Sequence, residues 1–265
     1  MTAPTLPVPR DPARTAVPVR RLVGVHARYQ FLETVRVPIA VIGTALFPAL
    51  SMLFFVVPSD AVSGDPVVAT GATAQLAVFS VMSVCLFTYG VGVAEDRALP
   101  WDAYIRTLPA GAGPRLGGRL LNGLAFALVG LTPLLLLAAL LTEATTPTRT
   151  LATAGALAVA ALPFLGMGMA VGYALPAKAA LAVAQVLLFP LAFAGGLFLP
   201  PELFPGWLDR ISQALPSRAG RDVTVAAAIG DQVPVGSLAV VAAWTVVLGT
   251  LAVLAYWRDE GRRFR

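Results

Sequence analysis

Charged residues are scarce in this chain, and their absence follows a pattern. Only 12% of the 265 residues are Asp, Glu, Lys or Arg, about half of the share that is usual in soluble domains. Six stretches contain no charged residue, namely 37–57, 67–94, 120–141, 151–175, 179–199 and 235–257. Each is long enough to cross the hydrocarbon core of a bilayer as a helix, which takes about 20 residues. The sequence therefore predicts an all-α integral membrane protein with six transmembrane helices.

Residues that bind metals or nucleotides are also few. Cys85 is the single cysteine and His26 the single histidine, which excludes an internal disulfide and a cluster of histidine metal ligands. The only lysine, Lys178, does not follow the glycine pattern of a phosphate-binding loop. No predicted span holds Asp, Glu, Lys, Arg or His, the residues that relay protons in pumps. Because the chain has no evident energy source of its own, we expect a partner to supply one.

The basic residues lie mostly on one side of the predicted membrane. Of the 19 lysines and arginines, 15 fall in residues 1–36, 94–119 and 176–178 or after residue 257. By the positive-inside rule these segments, and both termini with them, are cytoplasmic. Abundant arginine and alanine point to a bacterial genome, and so to the bacterial cytoplasmic membrane. Since the excess arginine flanks the spans, we expect no nucleic-acid binding. Residues 1–18 are expected to be a disordered cytoplasmic tail.

An amphipathic helix is predicted at residues 19–35, before the first span. Apolar residues recur there at spacings of three and four, and arginines lie beside them, as in helices that rest on a membrane surface. The residues expected at the lipid interface are Arg21, Leu22, Val25, Arg28, Tyr29 and Leu32. The alternative is a plain helical lead-in to the first span.

The cytoplasmic loop 94–119 carries an unusual density of aromatic and charged residues. A short helix starting at Pro100 would place Trp101, Tyr104, Ile105 and Leu108 on one apolar face. Such an exposed aromatic face is a candidate docking surface for a partner protein. Alternatively, the aromatic residues anchor the loop at the membrane interface. The glycine-rich run that follows is expected to give flexibility and not to bind a nucleotide.

The later spans contain a few informative residues. Gly168 and Gly172 have the small-xxx-small spacing that favours close helix packing. Gln185 is the one strongly polar side chain well inside the fifth span, so it either contacts a substrate or hydrogen-bonds a neighbouring helix. After that span, "ELFPGWLDRISQALP" is too short and too charged to cross the membrane. It predicts a re-entrant or interfacial helix on the external side.

With these features the chain resembles the ABC-2 type permease family, the membrane subunits of bacterial ABC exporters. The resemblance is carried by six spans after an amphipathic helix, by the loop "EDRALPWDAYIRTLP", and by "FPLAFAGGLFLPPELFPGWLDRISQALPSRAGRDV". It covers nearly the whole chain after residue 20. It implies that residues 19–265 form one transmembrane domain, which pairs with a second permease copy or a paralogue and sits among membrane lipids.

The resemblance also implies how such a protein would be driven. Two separate ATP-binding subunits would dock below the membrane and would hold ATP and Mg²⁺, while this chain binds no cofactor and is not an enzyme. The residues implied in coupling are Glu95, Asp96, Arg97, Trp101, Tyr104, Arg106 and Leu108. The helix at 19–35 would brace the same interface. Substrate would pass between the two copies, lined by spans one, two and five, with Gln185 and Phe189 as possible path residues.

Two other functions are compatible with the sequence. One is a membrane anchor or regulator that transports nothing, and the other is a secondary carrier that works alone. The first would need only a docking surface. The second would need an ion-coupling site, for which the charge-free spans offer no candidate.

Overall fold

The protein is described here as a computed structural model covering residues 18–36, 46–100, 112–145 and 150–263. All regular secondary structure in these ranges is helical, which confirms the predicted all-α fold. The helices are α1 (Val19–Val35), α2 (Leu46–Val56), α3 (Asp60–Ser63), α4 (Pro66–Ala98), α5 (Ala112–Leu141), α6 (Thr150–Ala174), α7 (Ala177–Ala194), α8 (Gly206–Ser212), α9 (Pro216–Ile229) and α10 (Val235–Arg263). A 3₁₀ turn at Pro201–Leu203 precedes α8.

Within the described ranges, five helices are long and apolar enough to cross a membrane, namely α4, α5, α6, α7 and α10. They correspond to the second to sixth predicted spans. The first predicted span is represented by α2, which is apolar but shorter, and residues 37–45 lie outside the described residues. The membrane character of the chain is therefore confirmed, while the count of six spans stays a prediction.

Helix α4 is the centre of the bundle. In its most apolar stretch 83% of the residues are buried, against 17–33% in the other four long helices. Asp65 fixes its start, because the carboxylate accepts the N–H groups of Val67 and Val68 at 2.8 and 3.0 Å, and Pro66 occupies the first helical position. The helix widens into a π-helical segment at Cys85–Val91. The apolar faces that the outer helices leave exposed suit a lipid environment.

The helix ends differ from the predicted span ends. Helix α4 continues to Ala98 and α10 to Arg263, beyond the charge-free stretches, because hydropathy marks the edge of the bilayer and not the end of the backbone hydrogen bonds. Helix α7 instead stops at Ala194, before the predicted end at 199. Gly196 breaks it, with a φ of +72° that favours glycine, and a side chain there would meet Pro201 at 2.7 Å.

Glycines let α6 lie directly against the backbone of α4. A Cβ atom on Gly168 would overlap the carbonyl oxygen of Cys85, and one on Gly172 would lie 2.7 Å from the carbonyl oxygen of Gly90. Both contacts fall on the π-helical segment of α4. The expectation of close packing at this pair of glycines is confirmed.

The glycine-rich run before the third span was expected to be flexible, but two of its glycines lie at a helix contact. Gly117 and Gly118 lie inside α5 and face α1. A Cβ on Gly117 would be 3.0 Å from a methyl group of Val23, and one on Gly118 would be 2.5 Å from the Cβ of His26. The expectation of flexibility at these two residues was wrong, since they permit two helices to pack closely.

Two helices, α8 and α9, connect the fifth and sixth spans; α8 lies in the segment predicted to form an interfacial helix, whereas the buried helix α9 was not expected. Helix α9 has 14 residues and packs between α4, α6 and α10. Pro216 begins it, because proline is tolerated in a first turn, and alanine, glycine and serine make up much of its buried face. The shorter α8 exposes Trp207 and Ile211, as an interfacial helix would.

Candidate functional site

A cavity of about 650 Å³ lies where α1, α4, α5 and α7 meet, with α2 at its edge. It is located at the end of α4 that leads into residues 101–111. Its described lining includes four phenylalanines, from four different helices: Phe47, Phe87, Phe126 and Phe189. The rings of Phe47 and Phe189 are 5.6 Å apart. One part of the cavity is therefore apolar and aromatic.

The cavity lining also contains charged residues. Glu33 comes from α1, Glu95 and Asp96 from the last turns of α4, and Arg119 from α5. Arg119 forms an ion pair with Asp96. Among the described residues, Glu33 and Glu95 form no ion pair. The described lining thus carries three carboxylates and one guanidinium, a net negative charge.

Two amide oxygen atoms of lining residues have no hydrogen-bond donor within the described part of the chain. Asn122 is only 5% exposed, and its Oδ1 atom accepts no hydrogen bond within the described part of the chain. The Oε1 atom of Gln30 is also buried and unpartnered. A buried acceptor without a donor costs about 1–3 kcal/mol. Because both residues border the cavity, a rotation of either side chain would let its oxygen accept a hydrogen bond from a molecule in the cavity.

Contacts between α4 and α5 hold Asn122 in place. The hydroxyl of Tyr89 donates a hydrogen bond to the carbonyl oxygen of Leu120 at 3.0 Å. The Tyr89 ring occupies the space that a side chain at position 123 would need, so Gly123 allows the two helices to approach. Asn122 is fixed beside this contact and borders the cavity.

The two residues predicted to border a substrate path, Gln185 and Phe189, both line this cavity. Gln185 is exposed, and within the described ranges it makes no hydrogen bond to a neighbouring helix. The alternative prediction, that Gln185 hydrogen-bonds a neighbouring helix, is therefore not observed among the described residues. A role of either residue in substrate contact stays a prediction.

The described residues among those predicted to couple to a partner make two different sets of contacts. Glu95 and Asp96 line the cavity. Arg97 is turned away from it and donates hydrogen bonds to the carbonyl oxygens of Gly172 at 2.6 Å and Leu175 at 3.2 Å. Four further coupling residues lie outside the described residues: Trp101, Tyr104, Arg106 and Leu108. The coupling role of the whole set stays a prediction.

Helix α1 packs on α5, and its exposed side mixes basic and apolar residues. Phe31 contacts Phe126 with ring centroids 5.5 Å apart. Of the residues predicted to contact lipid, five are exposed: Arg21, Val25, Arg28, Tyr29 and Leu32. Leu22 is half-buried. This arrangement fits a helix at a membrane surface, and its lipid contact stays a prediction.

Sequence reasoning missed most of the cavity lining, including its polar residues Arg119 and Asn122. A signal for the second was present, because Asn122 is an amide within the charge-free stretch 120–141. Arg119 lies just before that stretch, and from sequence it indicates only that this end of the span faces the cytoplasm. Neither residue reveals from sequence which helices it faces.

Comparison with known proteins identifies the family to which this chain belongs. The ABC-2 type transporter family matches residues 21–228, which include every described residue of the cavity. The chain is also 29% identical, over 144 residues, to the "Putative transport permease YvfS" of Bacillus subtilis (strain 168). That alignment covers 54% of this chain and 59% of the relative, so less than two thirds of the relative's length is matched. This chain belongs to the ABC-2 type transporter family.

Proposed function

We propose that this chain is the permease subunit of an ATP-driven exporter, and that it works as a dimer with two separate ATP-binding subunits. Membership of the family and the relative named as a transport permease support the permease role. One observation carries the proposal further: the cavity lies beside the last turns of α4, immediately before the segment expected to dock the ATP-binding subunit.

The last turn of α4 is suited to link the docking segment with the cavity. Glu95 and Asp96 form part of the cavity wall, and the next residue, Arg97, contacts α6 and α10. A force on residues 100–111 would therefore reach the cavity wall and two other helices at once. ATP-dependent closure of the partner subunits would act as a rigid-body gate.

The second permease copy and the orientation are part of the same proposal. Helices α2, α4 and α7 each contribute lining residues to the cavity, in agreement with a path between two copies formed by spans one, two and five. The basic residues concentrate at the cavity's end of the bundle, which supports a cytoplasmic location for that end. Substrate would then enter from the cytoplasm and leave on the other side.

The experiment that tests this function uses the chain together with the ABC ATP-binding protein encoded nearest to it. The two are co-expressed, purified in detergent and reconstituted in liposomes, and ATP hydrolysis is compared with that of the ATP-binding protein alone. We expect a stable complex whose hydrolysis rate depends on the permease. An ATP-binding protein disabled in its own phosphate-binding loop is the control. Failure to form a complex with any such protein would favour the anchor or secondary-carrier functions.

A further inference from the structure

We infer that the cavity binds lipophilic cations that carry N–H groups, such as aromatic amines with a delocalised positive charge. This inference rests on the proposed function, because it names the class of compound that the permease would transport. Its basis is the combination, in one cavity, of aromatic lining residues, two carboxylates without an ion pair among the described residues, and buried acceptor atoms.

The volume of the cavity and its aromatic lining residues favour a ligand with a flat, apolar ring system. A volume of about 650 Å³ lies within the range of about 300–1,000 Å³ that drug-sized ligands occupy. Phe47 and Phe189 form a pair at one edge of the cavity, and Phe126 is fully buried in the wall. Phenylalanine rings attract cations over their faces as well as apolar groups.

The charges in the cavity favour a cation. The Arg119 guanidinium is matched by Asp96, whereas Glu33 and Glu95 form no ion pair among the described residues. Both side chains are exposed, and together with Asp96 they give the cavity a negative potential that attracts cations. This negative potential repels an anion, and it attracts a zwitterion less than a cation because it repels the zwitterion's own carboxylate, so the cavity should discriminate against both.

The buried amide oxygens supply an observation that does not depend on charge. Asn122 is nearly fully buried, and its Oδ1 atom, like Oε1 of Gln30, has no donor within the described part of the chain. Each of these atoms can only be satisfied by a donor from outside the described residues. A cation with N–H groups would satisfy both the acceptors and the carboxylates, whereas a fully alkylated cation would satisfy only the carboxylates.

Three related dyes separate these contributions. Rhodamine 123 is a cation with N–H groups, tetramethylrhodamine methyl ester is a cation without them, and rhodamine 110 has N–H groups but a carboxylate that cancels the charge. Binding of each dye to the purified permease in lipid nanodiscs is measured by fluorescence anisotropy, with empty nanodiscs as the baseline. We expect rhodamine 123 to bind about tenfold more tightly than rhodamine 110, with the methylated dye between them. Equal affinity for rhodamine 123 and rhodamine 110 would overturn the inference.

Variants of cavity residues test whether the expected order of dye affinities arises from binding in this cavity. The double substitution Glu33→Gln with Glu95→Gln should weaken binding of rhodamine 123 about five- to tenfold and leave rhodamine 110 nearly unchanged. Asn122→Leu should remove the difference between rhodamine 123 and its methylated analogue. The matched control is Glu202→Gln, an exposed carboxylate between α7 and α8, which should bind all three dyes like the parent. Loss of binding in the control but not in the double variant would contradict the inference.

A variant that is expected to gain affinity is a useful control, because a misfolded protein can lose affinity but does not gain it. Gln185 is exposed and lines the cavity, so Gln185→Glu adds a carboxylate without a change of size. We expect this variant to bind rhodamine 123 several-fold more tightly and rhodamine 110 no better. An unchanged or weaker affinity for rhodamine 123 in a folded protein would count against the inferred ligand class.

The dye assay needs no ATP-binding subunit, which keeps the two proposals apart. If the dyes follow the expected order but no partner couples ATP hydrolysis to their transport, the ligand class is supported and the exporter function fails. If ATP hydrolysis couples to the permease but the dyes bind without regard to charge, the exporter function is supported and the ligand class fails.

Discussion

Arg97 and Asp259 form a buried ion pair that joins the end of α4 to the end of α10. Their side chains are 17% and 4% exposed. Arg97 also donates hydrogen bonds to carbonyl oxygens at the end of α6, groups that have no partner within their own helix. One guanidinium thus fixes the ends of three membrane helices directly before the segment expected to contact the ATP-binding subunit.

Replacing Asp259 with Asn should destabilise the protein strongly, because it leaves the Arg97 guanidinium buried without its full counter-charge. Breaking one side of a buried pair costs about 3–5 kcal/mol. We expect a clear drop in the apparent melting temperature, measured by size-exclusion chromatography after heating in detergent. Asp231→Asn, at an exposed position, is the control. Equal melting temperatures of the two variants would argue that the pair does not stabilise the fold.

Gly168→Ala should destabilise the contact between α4 and α6. The added methyl group would overlap the carbonyl oxygen of Cys85, so the helices would have to separate, at a cost of about 1–3 kcal/mol. Gly155→Ala on the same helix is the matched control, because a Cβ atom there meets nothing within 4 Å. The same heating assay measures both. A loss of stability in the control that equals that of Gly168→Ala would contradict the packing argument.

Gly118→Ala should loosen α1 from α5. A Cβ at position 118 would be 2.5 Å from the Cβ of His26 and 3.0 Å from the backbone nitrogen of Ala27, and backbone cannot rotate away. We expect faster hydrogen–deuterium exchange of the α1 amides, read by mass spectrometry. Gly24→Ala on α1 itself has open space around its Cβ and should leave the exchange rate unchanged or lower. Unaltered exchange in Gly118→Ala would rule out the proposed contact.

Replacing Trp101 and Tyr104 together with Ala should weaken co-purification with the ATP-binding subunit. The reason is that an exposed aromatic face contributes much of the energy of a docking surface. The yield of the complex relative to the permease is measured after affinity purification. Trp207→Ala removes an exposed tryptophan on α8 and should not reduce the yield. A full yield with the double variant would reject this face as the docking surface.

The predicted orientation can be tested with single cysteines. Ser59→Cys and Gly206→Cys should react with a membrane-impermeant maleimide on intact cells, whereas Asp102→Cys should react only after the membrane is opened. Cys85 is buried and serves as the unreactive background. The reverse pattern of labelling would invert the topology derived from the basic residues.

The fold was largely predictable because insertion into lipid acts on stretches of sequence, one helix at a time. Charge-free stretches located α4, α5, α6, α7 and α10 to within a turn or two at most ends. Helix α9 was not predictable in this way. Its buried face depends on small residues such as Ala219 and Gly220, whose fit is decided by the neighbouring helices and not by their own hydropathy.

The candidate site was predictable only in part, for a related reason. Gln185 could be singled out because an amide is rare inside a span, and Glu95 and Asp96 because they end a charge-free stretch. That these residues share one cavity with Glu33 and Asn122 follows from which helices are neighbours. Such adjacency depends on tertiary packing, which a single sequence does not reveal.

The glycine contact between α4 and α6 also bears on how the protein can move. Since backbone meets backbone at Gly168 and Gly172, these two helices cannot slide past each other by exchanging side-chain rotamers. Helix α9 and the Arg97 contacts join α10 to α4 and α6, while α1 packs on α5. Helices α4, α6, α9 and α10 therefore form one tightly packed group. We expect these four helices to move as one rigid body in any conformational change, and not to loosen one by one.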